Sequence, residues 1–486
     1  MTTQAMSAVP PAQLPSTQLK KDAVGVPALL FFVLSAQAPL TGVVGAAGLA
    51  VALGNGAGAP GAYLLVGLIT VLFAVGFTTM ARHTDIRGGF FAISRAGLGP
   101  VGGGIGALVA VTAYHLIQAA MYGLLAGTLA SAVTRWTGIA LPWWIYAVAA
   151  IAVVWILGLR GIELGARLLA VLVSAEVLIL LVFAVFVLAT GGGSHGGGFD
   201  LTASFSPQAV LSGMPAIAIM FAIASMFGFE STAIYAGETR DAQRTVPRAT
   251  YLAVIGVSVF FAFIMFMLVS FYGAPHAQDA ALGALAVDPA VFVLEPMDAV
   301  LGPWASAVTE VLLITSLLAG VLAFHNTGTR YLHAMSSRGM LPASLARTNA
   351  RQTPSRAAAV QSAIAALLVV PFALGGLDPV LSLFSWFSGL AVAALVILYI
   401  VTSVAIMVFF ARTRVEPSIW KAFVAPALTT VLMAGELVLL VANFTVLTGT
   451  DAAPGVAWAL LAGLAVVVVV GAFLRSRPAP VGEPLL

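Results

Sequence analysis

The sequence predicts an all-α integral membrane protein with twelve transmembrane helices. Of its 486 residues, 61% are hydrophobic and only 8% are charged, whereas a soluble domain carries about 25% charged residues. Apolar runs long enough to cross a hydrocarbon core of about 30 Å recur along the whole chain. These runs fall at 27–54, 61–81, 100–131, 143–158, 166–189, 209–237, 249–272, 302–328, 358–375, 380–409, 422–447 and 455–474.

The placement of basic residues predicts the orientation of these spans. Every lysine and arginine except Arg135 lies in a terminal tail, in a loop that follows an even-numbered span, or, for Arg167, at the edge of such a loop. By the positive-inside rule, those loops and both termini are cytoplasmic. We therefore expect a multi-pass inner-membrane protein with cytoplasmic tails at 1–26 and 475–486 and no removable signal peptide.

Two spans contain residues that interrupt a membrane helix. Span one carries Pro39 with two glycines in the segment 38–45, and span six carries a glycine beside an acid in the segment 227–230. Unwound backbone at membrane depth is tolerated where it lines a protein-enclosed cavity, and paired breaks in corresponding spans point to a transporter binding site. The alternative is a pair of kinked packing helices.

The spacing of the two breaks also predicts an internal repeat. Spans one and six are five apart, and because five is odd, a repeat of the first five spans in the next five has inverted topology. We expect a first repeat at 27–189 and a second at 209–410, a five-plus-five core. Spans eleven and twelve, at 418–474, lie outside this core.

Helix breaks of this kind suit a zwitterionic ligand. The amide hydrogens at the start of a half-helix lack intrahelical partners and lie at its positive dipole end, which favours a carboxylate. Carbonyl oxygens at the end of the opposite half-helix favour an ammonium group. An α-amino acid carries both groups on one carbon, so two facing breaks can hold it.

Other function classes find little support in the sequence. The chain has no cysteine, no helical His-Glu-x-x-His motif and no aspartate in mid-span, so we do not expect an enzyme, a cofactor or a resident metal. Its basic residues are scattered through short loops, which argues against nucleic acid binding. No filter-like repeat indicates a channel. A membrane sensor that binds ligand without transporting it stays open.

Three segments carry a resemblance to a known family. The first is the tail of span six at 227–230, 237–239 and 245–249, and the second is Arg-Gly-Gly-Phe-Phe at 87–91 with its continuation to residue 100. The third follows span eight at 330–342, with Thr353-Pro354 downstream. In their order along the chain, these segments resemble the amino acid–polyamine–organocation permeases, whose fold is LeuT-type. The resemblance covers most of spans one to ten and implies an amino acid permease that works by alternating access.

The resemblance also implies a set of substrate-binding residues. It places the substrate carboxylate on the break of span one, the amine on carbonyl groups of span six, and the side chain near span three. One departure is that the family usually has Gly-Ser/Thr-Gly in span one, where this chain has Leu-Thr-Gly after a proline. The implied residues are Thr41, Gly42 and Val43 in span one, Ala224, Ser225 and Phe227 in span six, and Tyr114 and Gln118 in span three.

Two acids are candidates for coupling transport to an ion. Glu230 belongs to the span-six signature and is similar to an acid that links occupancy to gating. Glu176 aligns with a position of span five where several sodium-independent relatives carry a lysine. Ionisable residues at membrane depth mark proton relays and ion pathways, so we expect proton-coupled uptake through Glu176 or Glu230. Sodium binding at Glu176 with Ser316 is the contrary possibility, and an amine or polyamine permease or exchanger is the alternative function.

Overall fold

The computed structural model describes residues 26–84, 89–160, 166–192, 198–229, 232, 242–349, 353–449 and 454–474. All regular secondary structure in these residues is helical. Nine of the described helices are long and apolar enough to cross a membrane, and two shorter apolar helices accompany them, Trp143–Leu159 and Pro215–Ser225.

The first half of the chain forms the helices of spans one to five. The break in span one divides it into α1 and α2, and α2 continues through two wide π-helical turns at Gly42–Ala47 and Ala50–Asn55. The helices are α1 (Val26–Gln37), α2 (Pro39–Thr41), α3 (Ala59–His83), α4 (Phe90–Thr137), α5 (Trp143–Leu159) and α6 (Ala166–Ala189).

The second half forms spans six to twelve with four short helices outside them. Helices α7, α8, α11 and α12 lie in the two loops that the sequence places on the external side, and the others are the spans. The helices are α7 (Leu201–Phe205), α8 (Pro207–Val210), α9 (Pro215–Ser225), α10 (Ala242–Tyr272), α11 (Ala277–Leu285), α12 (Val291–Leu301), α13 (Pro303–Ser337), α14 (Ser355–Leu374), α15 (Ser385–Thr413), α16 (Ala425–Thr448) and α17 (Gly455–Phe473).

These helices correspond to the twelve predicted spans, and the largest differences lie at helix starts. Helix α4 begins at Phe90 rather than at 100, because Gly99, at φ 69° and ψ −156°, kinks the chain just before Pro100 and leaves a helical segment ahead of the span. Span six begins at Pro215 rather than at 209, because a separate short helix ends at Val210, and span seven begins at Ala242 rather than at 249. The division into two repeats and the cytoplasmic placement of the termini stay predictions, and nearly all of both tails lies outside the described residues.

The helices of spans three and ten form the most extensive pair in the bundle. Glycine permits their close approach, because a Cβ on Gly97 of α4 would collide with the carbonyl group of Ala405 on α15. Small residues at such crossings let backbones pack tightly where lipid removes the hydrophobic drive for association. Helix α13 packs against α4, and α4, α13 and α15 together form a frame. Helix α9 packs against α15 of this frame, and α1 and α2 pack against α13.

Candidate functional site

The break in span one lies at Ala38, the first residue of the predicted segment 38–45. Ala38 has φ 44° and ψ 77°, α1 ends at Gln37, and α2 begins at Pro39. A proline has no amide hydrogen and disfavours the helical conformation in the residue before it, so it starts a new helix rather than continuing the old one. The rest of that segment, from Pro39 to Gly45, is helical, which corrects the expectation that the break includes Thr41, Gly42 and Val43.

The two glycines of that segment serve packing rather than unwinding. A Cβ on Gly42 would lie 2.6 Å from the Phe261 ring, and a Cβ on Gly45 would lie 2.5 Å from a methyl carbon of Leu124. Both glycines are buried. They therefore bring α2 close to α10 and α4, and the proline alone accounts for the break.

The break in span six follows directly after α9. The helix ends at Ser225, the next four residues form turns, and Gly228 has φ 111°, a conformation that residues with a Cβ rarely adopt. The amide of Phe227 donates to the carbonyl oxygen of Ala224 at 3.3 Å, which tightens the last turn. Glu230, the second predicted coupling residue, lies outside the described residues.

A small cavity lies where the two breaks face each other. Its volume is about 40 Å³, and a buried water needs about 10–15 Å³ of such space. Its wall comes from spans one, three, six, eight and ten, and the polar side chains in it are uncharged. The lining residues are Gln37, Ala38, Thr41, Gly42, Ala46, Ile117, Met121, Ala224, Ser225, Phe227, Phe324, Phe384 and Ser388.

Five of the eight predicted substrate-binding residues line this cavity, and three do not. Val43 is fully buried in the hydrophobic core. Tyr114 packs beside the cavity, with its ring centroid 5.6 Å from that of Phe227 and 5.9 Å from that of Phe324. Gln118 accepts a hydrogen bond of 2.6 Å from Gln361 and so belongs to the packing of α4 against α14.

The aromatic side chains close one side of the cavity. Phe227 and Phe324 line it, their ring centroids are 5.9 Å apart, and Tyr114 contacts both rings. Tyr331 extends the cluster one step further along α13, with its ring centroid 5.4 Å from that of Tyr114. Edge-to-face and tilted contacts at these distances stabilise such clusters. The cluster therefore extends from the cavity wall along α13.

The hydroxyl group of Ser225 is already bonded within the protein. It donates to the carbonyl oxygen of Phe221 at 3.0 Å, and it pairs with the Tyr63 hydroxyl at 2.8 Å. The side chain of this predicted amine-binding residue therefore serves to join α3 to α9.

The Glu176 side chain lies beside the first residues of α2, which follow the break of span one. Its carboxylate accepts a hydrogen bond of 3.2 Å from the Leu40 amide, and only 2% of the residue is exposed. The Ser316 hydroxyl is also within hydrogen-bonding reach of this carboxylate, and it lies 3.3 Å from the Thr41 hydroxyl. Spans one, five and eight thus meet at one acid, which occupies the positive end of the α2 dipole.

Gln37 is a cavity residue that the sequence reasoning missed. Its Nε2 donates to the carbonyl oxygen of Met226 at 3.3 Å, so the last residue before one break bonds to the first residue after α9. Only 6% of the residue is exposed. A glutamine inside an apolar run, two positions before a proline, was the available signal.

A second group of buried acids lies at the far end of α13. Arg135, at the end of α4, forms ion pairs with Glu310 of α13 and with Asp288, 3.5 Å away in the turn before α12. Within the described part of the chain, no three or more histidine, cysteine or acidic side chains form a group suited to a metal ion.

The twelve helical spans define a polytopic membrane protein with a cavity between two broken helices. A family model described as amino acid permease matches residues 30–477. The chain therefore belongs to the amino acid permease family, which comprises transporters and not enzymes.

Curated relatives match part of the chain. An L-lysine transport protein from Corynebacterium glutamicum is 26% identical over 343 residues, which are 66% of this chain and 64% of the relative. An L-asparagine permease from Salmonella typhimurium is 24% identical over 305 residues, which are 60% of this chain and 58% of the relative. The matches thus cover less than two thirds of each relative's length.

Solved structures share the fold over most of the chain. The structure of MhsT in complex with L-phenylalanine is 20% identical with a TM-score of 0.55, and the alignment covers 86% of this chain and 100% of that one. A manganese transporter from Eremococcus coleocola is 14% identical with a TM-score of 0.53, covering 94% and 97%. At these identities the likeness establishes the LeuT-type fold and leaves the substrate open.

Proposed function

We propose that this permease imports a small amino acid together with a proton across the inner membrane, with both termini cytoplasmic. The substrate occupies the cavity between the breaks of spans one and six, and Glu176 takes up the proton. Family membership supports an amino acid as the substrate, and a cavity of about 40 Å³ supports a small one. The observation that carries the coupling is the hydrogen bond from the Leu40 amide to Glu176.

This hydrogen bond makes Glu176 and a substrate carboxylate competitors. Pro39 offers no amide hydrogen, and the amide of Gly42 is bonded to the carbonyl oxygen of Ala38 at 3.0 Å. Few amide hydrogens therefore remain at the start of α2, and an ionised Glu176 holds one of them. Two negative charges about 4 Å apart repel by about 1 kcal/mol in water and about 4 kcal/mol at an effective dielectric of 20.

Protonation of Glu176 removes this conflict. A neutral carboxyl group no longer repels the substrate carboxylate and binds the Leu40 amide less strongly, so proton and amino acid favour each other's binding. Such coupling is reciprocal, because each ligand raises the affinity for the other by the same factor. Release of the proton from Glu176 on the cytoplasmic side restores the hydrogen bond from the Leu40 amide and favours release of the substrate.

The arrangement of the cavity supports alternating access. Its wall joins the broken helices α1, α2 and α9 to the frame helices α4, α13 and α15. Rocking of the broken helices with spans two and seven against the frame opens the cavity to each side in turn, which is the motion expected of repeat-based transporters.

Sodium coupling is the second candidate. The oxygen atoms of Glu176, Ser316 and Thr41 converge between spans one, five and eight, and oxygen ligands suit a hard cation. In this case sodium rather than a proton neutralises the acid. The remaining alternatives are an amine or polyamine permease or exchanger, whose substrate has no carboxylate, and a sensor that binds without transport.

Uptake into liposomes by the purified protein separates these candidates. We would impose a proton gradient or a sodium gradient alone and measure uptake of each of the twenty radiolabelled L-amino acids. A gradient of one pH unit is worth about 1.4 kcal/mol per proton, or about tenfold accumulation. We expect the proton gradient to drive accumulation. Acceleration by sodium alone, or binding without any flux, contradicts the proposal, and competition by a decarboxylated amine as strong as by its amino acid favours the amine permease.

A further inference from the structure

We infer that Gln37 is a substrate-binding residue whose side-chain oxygen accepts a hydrogen bond from the protonated amine of the substrate. This inference rests on the proposed function, because it concerns the same cavity. It names a contact that the resemblance assigns elsewhere, to carbonyl groups of span six. The basis is one buried oxygen atom of Gln37 that can accept a hydrogen bond and has no donor among the described residues.

The orientation of the Gln37 amide follows from its neighbour. Nε2 lies 3.3 Å from the carbonyl oxygen of Met226, and two facing carbonyl oxygens would repel, so the nitrogen must point to Met226. The oxygen Oε1 therefore points away from Met226. It is buried and has no hydrogen-bond partner among the described residues.

Gln37 lies in a cavity wall where the Ser225 and Thr41 hydroxyl groups are already bonded. The Ser225 hydroxyl bonds to Phe221 and Tyr63, and the Thr41 hydroxyl pairs with Ser316. Ser388 also lacks a described partner, but a hydroxyl group inside a helix can turn to the carbonyl group four residues earlier. The Gln37 oxygen cannot bond to a carbonyl group in this way, because an amide oxygen only accepts hydrogen bonds. Burying it unpaired costs free energy that a ligand with N–H donors recovers.

The bond to Met226 makes this acceptor stronger and links it to both breaks. Met226 follows α9, so its carbonyl group is among those that a helix end leaves available. Gln37 bonds to that carbonyl group through Nε2, so in the proposed complex Oε1 takes its place as the acceptor for the substrate amine. Hydrogen bonds in series polarise one another. A substrate ammonium on Oε1 therefore strengthens the Gln37–Met226 bond and draws α1 toward the break of span six.

The test compares ligands that differ by one group. We would measure the affinity of purified full-length protein for the twenty L-amino acids by thermal shift and tracer competition. For each binder we would add the acid that lacks its amino group, such as propionate for alanine. In wild-type protein we expect the amino acid to bind at least tenfold tighter than that acid. A hydrogen bond to a charged group corresponds to about 10- to 100-fold in affinity.

Two variants of Gln37 separate binding from packing. In Gln37→Leu we expect this preference for the amino acid to fall about tenfold or more, with little change for the acid that lacks the amine. Gln37→Glu keeps the acceptor oxygens and loses the N–H that reaches Met226, so we expect it to retain the preference. If Gln37 only tied α1 to span six, Glu would be as harmful as Leu, and that result overturns the inference.

A matched control is Gln278→Leu. Gln278 also donates through Nε2 to a backbone carbonyl oxygen, that of Ala52 at 3.2 Å, but it lies in α11 outside the cavity. We expect its ligand preference to equal that of the wild type. If wild-type protein binds amino acids and Gln37→Leu keeps the full preference, the inference fails and the proposed site stands. If no amino acid binds wild-type protein, both fail.

Discussion

Glu176 and Glu310 are two buried glutamates of this bundle that are held in different ways. Their exposed fractions are similar, 2% and 4%. Glu310 forms an ion pair with Arg135, which also contacts Asp288. The positive charge of the arginine therefore offsets the negative charge of Glu310. The Glu176 carboxylate has no such cation among the contacts described above, and its hydrogen-bonding partners are the Leu40 amide and the Ser316 hydroxyl.

This difference indicates which of the two glutamates can take up and release a proton. A carboxylate paired with arginine loses its ion pair when it takes up a proton, because arginine stays charged. A carboxylate held by an amide and a hydroxyl keeps hydrogen-bonding partners in either protonation state, since a carboxyl group still accepts and can also donate. Glu176 is therefore suited to change its charge during transport, and Glu310 is suited to keep it.

The largest effect we expect is on stability, from the change Arg135→Ala. It leaves two buried carboxylates, those of Glu310 and Asp288, without their shared cation. Hydrogen bonds to charged groups contribute about 1.5–3 kcal/mol, and because 44% of the Arg135 side chain is exposed, we expect a loss near the lower end, about 1.5 kcal/mol. Thermal unfolding of the purified protein in detergent measures it.

The control for this prediction is Arg356→Ala, which removes an exposed arginine at the start of α14. We expect its unfolding temperature to match the wild type. An Arg135→Ala variant as stable as this control would show that solvent already screens the cluster, and the contrast between the two glutamates would then lose its basis.

The second effect concerns transport, and here we expect the change at Glu176 to matter and the change at Glu310 to matter little. Glu176→Gln removes the titratable group but keeps an oxygen that can accept from the Leu40 amide. We expect it to lose proton-driven accumulation, about tenfold for a gradient of one pH unit, while exchange of substrate across the membrane continues. Glu310→Gln, compared at equal amounts of folded protein, should still accumulate substrate. Normal accumulation by Glu176→Gln removes this acid from the coupling mechanism.

The sequence predicts the number and order of the spans, because each long apolar run has one stable solution in a bilayer. It misplaces the first break because proline and glycine both interrupt helices, whereas Gly42 and Gly45 are explained by the Phe261 and Leu124 side chains that pack against them. Such neighbours come from distant segments and leave no local signal.

The rotation of a helix about its own axis is also hard to predict. Tyr114 and Gln118 share one face of α4, but Ile117 and Met121, on the adjacent face, line the cavity. The bond between Gln118 and Gln361 of α14 helps to fix this rotation, and a single sequence does not reveal that partner. Gln37 was missed for a different reason, since its role depends on Met226 in another span.

The smallest effect we expect comes from an acid outside the membrane spans. Glu416 lies in the segment after α15, with its carboxylate 3.3 Å from the His83 ring. Burial raises the pKa of this carboxyl group, but hydrogen bonds from the Ser418 amide and His83 outweigh that effect and leave the pKa below its usual range. Its ionised form is therefore favoured in the folded protein.

A lowered carboxyl pKa stabilises the fold above the ordinary value, about 4.3 for glutamate, and this contribution disappears as the pH falls through the lowered pKa. We expect Glu416→Gln to cost about 1 kcal/mol or less near neutral pH, as for other surface ion pairs, and nothing under acidic conditions. Unfolding temperatures of both proteins over a pH series measure the difference. A gap that persists or grows as the pH falls contradicts the assignment, and it would mean that packing rather than charge holds Glu416 in place.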